Sequence, residues 1–113
     1  MSQNKPKIIN LLIGNLTNYI VHTILERSIN NPELVSKYQK ESGNSLNIAI
    51  SYRNKINPVN KSLPESDISY IRNKIINRVK SELLLRISKG YQGIDLSLIE
   101  TEVDKTLHHL SIS

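Results

Sequence analysis

Cysteine is absent from this sequence, and so are tryptophan and phenylalanine. Without cysteine there is no disulfide, no thiolate nucleophile and no thiolate-based zinc site. With five tyrosines as the only aromatics, a single-strand nucleic-acid binder built on stacked bases has little to stack on. Glycine is sparse at four residues, and none of the four opens a phosphate-cradling loop. Catalytic signatures are missing as well. No activated nucleophile motif occurs, and Glu100, Glu102 and Asp104 cluster in the manner of a helix start facing solvent. His108 and His109 are adjacent, so on a helix they diverge by about 100° and cannot readily share a metal. The expectation is a non-enzymatic protein with no cofactor and no metal site.

A fourth absence is the most informative. Between Ile8 and Leu25 there is no Lys, Arg, Asp or Glu, although 22% of the chain is charged. Ile9, Leu12, Ile13, Leu16, Ile20 and Ile24 recur at helical spacing and form an apolar stripe. The other side carries Asn10, Gly14, Asn15, Thr17, Asn18 and His22, polar but uncharged. A surface helix normally puts charges there. An uncharged second side implies cover by something further, a second copy of the chain or a partner protein, with Gly14 allowing close approach. The amides would each need a partner in hydrocarbon, which argues against a membrane span. The run is also followed by Glu26-Arg27 where a signal peptide would need a small-residue cleavage site. A cytoplasmic protein is expected.

What is present reads as one all-α domain spanning 1–113, a compact bundle of four to five helices with a long N-terminal helix at its centre. A first helix is predicted from Pro6 to Ser28. Asn31-Pro32-Glu33 starts a second, which Gly43 is expected to end. Residues 45–57 are two-sided. Leu46, Ile48, Ile50 and Tyr52 alternate as in a strand, whereas Leu46, Ala49, Ile50 and Ile56 fit one helix face. Helix is preferred because nothing else in the chain offers a strand partner, and Pro58 should stop it. A third helix is predicted from Ser66 to Lys89 on Ile68, Ile71, Ile75, Val79, Leu83 and Ile87, closed by Gly90. The last begins near Asp95 or Ser97, with a capping box at Ser97 and Glu100 and a stripe of Leu96, Ile99, Val103, Leu107 and Leu110.

The net charge is +5, and it is uneven: residues 36–91 hold eleven Lys/Arg against four Asp/Glu, while 92–113 hold four acids against Lys105. A basic middle suits an acidic protein surface or nucleic acid. Two functional readings follow. The first is an interaction protein, an adaptor, assembly factor or antagonist of a larger complex, working through Asn10, Gly14, Asn15, Asn18 and His22 as a homo-oligomer or with a partner. The alternative is a small regulator that contacts duplex phosphates through Arg53, Lys55, Lys74, Arg78 and Lys89. A helix-turn-helix over 33–55, turning at Gly43, would serve the latter, although Asn44 stands where an apolar residue is usual. Arg72 and Arg86 fall among the apolar positions of the third helix. They are expected to set helix register or subunit pairing through ion pairs, with Glu100 or Asp104 as partners.

Overall fold

A computed structural model describes residues 5–28, 31–57 and 62–112, which form four helices and no strand. These are α1 (Lys5–Ser28), α2 (Pro32–Asn54), α3 (Glu65–Ser88) and α4 (Leu98–His109). The molecule is elongated, 46 × 24 × 21 Å, because α1 alone spans about 36 Å. Leu12, Ile13, Leu16, Ile20, Ile24 and Leu25 of α1 are all fully buried. α1 packs on each of the other three helices, and α3 also packs on α4. α1 is long and apolar enough to cross a bilayer, yet its apolar stripe is the centre of the bundle.

Side-chain pairs give the directions. Lys5 of α1 meets Asp67 of α3 at 2.8 Å, and further along Thr17 lies opposite Ser81, so α1 and α3 run parallel. Asn18 faces Ser45 and His22 faces Glu41, so α2 is antiparallel to α1. Arg27 pairs with Glu102 at 2.7 Å near the start of α4, while Leu110 at its end meets Arg53 at the end of α2, so α4 is antiparallel to α1 as well.

The second helix departs from the expected pattern. Gly43 does not end it, and residues 45–54 continue it without a break, so the helix-turn-helix reading falls. Nothing requires a break there, because Gly43 is exposed and no left-handed turn forms. The reason lies in the face that α2 turns to α1: Tyr38, Ser42, Ser45, Ala49 and Arg53, three or four residues apart. Ser42, Ser45 and Ala49 are buried and small, which lets the helix lie close against α1. The expected break at Pro58 lies outside the described residues.

Two helices end in the same way. In α3 the amide of Gly90 donates to Ile87 and that of Tyr91 to Arg86, with Gly90 at φ 99°. This is a Schellman motif, and the left-handed position is taken by the residue that occupies it at least cost. α4 repeats it with Ser111 at φ 57°: the amide of Ser111 donates to His108 and that of Ile112 to Leu107. A serine in that conformation costs of order 1 kcal/mol. Two features offset the cost. Ile112 is fully buried beyond it. The guanidinium of Arg53, itself 1% exposed, donates to the carbonyls of Leu110 (3.0 Å) and Ser111 (2.9 Å) and to the Asn57 side chain (2.6 Å). A cation at these last carbonyls is also favoured by the dipole of α4. The expected capping box at the other end of α4 does not form. Ser97 instead donates its hydroxyl (2.6 Å) and its amide (3.0 Å) to Asp95.

Replacing Arg53 by Met keeps the apolar stem and leaves buried carbonyls without donors, so Arg53→Met is expected to cost about 3 kcal/mol. Urea unfolding measures it, and a loss below about 0.5 kcal/mol would place the residue outside the framework.

Candidate functional site

α2 and α3 both lie on α1, but the two helices do not pack on each other. At the C-terminal end of α1 side chains close the gap. His22 is buried there, stacked on Tyr38 with ring centroids 5.2 Å apart, its Nε2 3.5 Å from Glu41. Burial pushes the imidazole pKa down, Glu41 opposes this, and Arg86 adds to it. Burial and the neighbouring Tyr91 push the Tyr38 phenol up. His22 is therefore covered from within the chain, by α2 and by groups around the end of α3.

Toward the N-terminal half of α1 the gap is open. Asn10, Leu11, Gly14 and Asn18 are exposed and Asn15 half-buried. Asn15 donates to the Leu11 carbonyl at 2.8 Å, and Asn18 reaches Ser45 at 3.5 Å. Much of the charge-free character of α1 is thus explained by its own bundle, and what stays uncovered is the short stripe from Asn10 to Asn18.

Beside that stripe runs a groove of about 450 Å³, floored by Gly14, Thr17 and Asn18 of α1 and walled by Lys74, Asn77, Arg78, Ser81 and Glu82 of α3. It joins two sets of residues that the sequence holds sixty positions apart, the uncharged side of α1 and the basic side of α3. Lys74 lies over the Tyr70 ring, 5.8 Å from its centroid. Among the described residues neither Lys74 nor Arg78 forms an ion pair. Glu82 is held by Arg86 at 2.9 Å. Leu85 follows on the same α3 face and is 50% exposed.

The remaining candidates are placed elsewhere. Arg53 is interior and spends its donors on the end of α4. Lys55, over the Tyr52 ring at 5.2 Å, stands at the end of α2, beside the start of α1. Lys89 continues the Lys74–Arg78 face but caps the opposite end of the molecule. Arg72 makes a two-pronged contact with Asp104, 2.7 and 3.1 Å, joining α3 to α4, and this bond holds its pKa up. The pair is largely exposed, so its contribution is under about 1 kcal/mol. Arg86 pairs within its own helix, with Glu82. A second cleft of about 370 Å³ lies between α1 and α4, around the Arg27–Glu102 pair with Tyr19, Lys105 and His109.

Comparison with protein-family models, curated proteins and solved structures returns no match. The functional reading therefore rests on the geometry of this chain.

The cover over His22 yields a pH dependence. Its folded pKa lies below the unfolded value of about 6.5. Its contribution to stability is therefore complete above about pH 6.5 and declines as the pH falls from there toward the folded pKa, since only the unfolded chain binds the proton in that window. His22→Gln should lose less stability than the wild type between neutral pH and mildly acidic pH. Equal losses in urea unfolding would contradict this placement.

Proposed function

We propose that this chain is a non-enzymatic interaction protein, an adaptor, assembly factor or antagonist of a larger complex, that binds a partner protein along the open side of α1 and the adjoining face of α3. The observation that carries the reading is the uncovered, charge-free stripe of Asn10, Leu11, Gly14 and Asn18 beside two cations, Lys74 and Arg78, that have no ion pair among the described residues. Exposed apolar side chains flank it, Leu11 on α1 and Leu85 on α3, in the mixed apolar and polar pattern of a protein-binding patch. Arg is favoured at such patches and Lys is not, which makes Arg78 the better anchor of the two. A cytoplasmic setting suits the absence of cysteine.

A homodimer through this face would set Lys74 and Arg78 against their own copies or near them, so the reading favours a different chain as partner. Duplex nucleic acid is the second reading. It draws on Lys74, Arg78 and Lys89, which share a face of α3. Three phosphate contacts give a salt slope of only about −2.7, too few to carry tight binding on charge alone. Leu85 also stands between Arg78 and Lys89 on that face, where a phosphate backbone offers it nothing.

A photo-crosslinking residue placed at Asn18 or Leu85 in the full chain, in the cells that make it, should capture a protein adduct. The same probe at Thr101, exposed on α4, should not. Nucleic-acid adducts at Asn18 and Leu85 would move the assignment to the second reading, and no adduct at either would remove both.

A further inference from the structure

We infer that the groove between α1 and α3 receives the acidic side chains of the partner, with an Asp- or Glu-bearing segment crossing α1 at Gly14. This rests on the protein-binding reading above and adds the chemistry of what is bound.

Gly14 supplies the first argument. A glycine inside a helix costs about 1 kcal/mol relative to alanine, and a close neighbour usually explains it. Here a Cβ on Gly14 would meet nothing within 4 Å. Among the described residues nothing requires the glycine, and the space above it opens into the groove. A main chain from outside could approach α1 there more closely than over any side chain.

Thr17 supplies the second. Two other threonines of the helices that are not exposed, Thr23 and Thr106, satisfy their hydroxyls on the carbonyl four residues back, that of Tyr19 at 2.8 Å and that of Glu102 at 2.7 Å. Thr17 does not. It is 8% exposed, it lines the groove, and its hydroxyl has no hydrogen-bond partner among the described residues. Leaving such a group unpaired is costly, and because the hydroxyl oxygen is itself enclosed, an acceptor in the groove relieves it only once the side chain turns about χ1.

The third is the balance of donors and acceptors. Lys74 and Arg78 can only donate, and the amide of Asn77 can turn its NH₂ group inward, whereas the NH₂ of Asn18 reaches toward Ser45 of α2. The one carboxylate of the lining, Glu82, has its charge offset by Arg86. A site rich in donors and cations selects an anionic acceptor. In a protein partner that is a carboxylate, and the Arg78 fork can take it in two-pronged fashion.

The test is an amide NMR titration of the full chain with a short Glu/Ala peptide and with its Gln/Ala counterpart. The Glu peptide is expected to move the signals of Gly14, Asn18, Asn77 and Ser81, and the Gln peptide to bind roughly tenfold more weakly. Arg78→Gln should abolish the preference. Gly14→Leu leaves the net charge at +5 and is expected to fold at least as stably, since the space is open and leucine is the better helix former. It should nevertheless lose the Glu peptide. Binding of the Glu peptide by Gly14→Leu at wild-type strength would overturn the inference. So would shifts that spread equally to Lys37, Lys40 and Lys89. A protein adduct at Asn18 together with either of those results would leave the protein-binding reading standing and remove only the acidic partner.

Discussion

One helix must satisfy three neighbours, and the shape of the molecule follows from that constraint. α1 buries apolar side chains along its whole length, and α2, α3 and α4 are all arranged around it. Because the backbone of α2 comes close to no helix except α1, its position depends on close contact through Ser42, Ser45 and Ala49 and on the lock that Arg53 makes with the end of α4. That lock and the burial of Ile112 in the core together offset the unfavourable backbone of Ser111. The same arrangement leaves α2 and α3 apart over the N-terminal half of α1, so the open stripe follows from the packing.

The parts of the fold that were legible from residues alone are those whose burial is apolar. α1, α3 and α4 each announce themselves by aliphatic side chains at helical spacing. Ile71, Ile75, Val79 and Leu83 of α3, and Ile99, Val103 and Leu107 of α4, sit where that spacing puts them, whereas Ile87, in the last turn of the α3 stripe, lies beyond the core and is exposed. α2 was harder because its buried face is made of serine, alanine, tyrosine and arginine, which carry no hydrophobic period. Of the four alternating residues that suggest a strand, Ile48 and Ile50 are exposed, while Leu46 and Tyr52 are half-buried against the core, so the alternation does not separate a buried face from a solvent face.

The candidate site was legible in halves. The charge-free side of α1 and the basic side of α3 can each be read from the chain, but only their parallel packing makes them one groove. Arg53 was misread because a charged residue near a helix end is normally solvated. Its burial becomes visible only when the carbonyls of Leu110 and Ser111, nearly sixty residues away, are brought to it. Asp104 as the partner of Arg72 could be anticipated from the apolar surroundings of Arg72 on its helix. Thr17 can be placed on the uncharged side of α1 from the sequence, but its unpaired hydroxyl is a property of packing and not of residue type.

The central claim is that Asn10, Gly14 and Asn18 face solvent in the isolated chain although they belong to its most deeply buried helix. Paramagnetic relaxation by a neutral soluble gadolinium chelate, at two protein concentrations, tests it most directly. The account predicts strong broadening of the Gly14 α-protons and the Asn10 and Asn18 side-chain amides at both concentrations, with the methyls of Leu12, Leu16 and Ile20 spared. Protection of Gly14 and Asn18, appearing or deepening at the higher concentration, would show that a second copy covers the stripe and would contradict the claim.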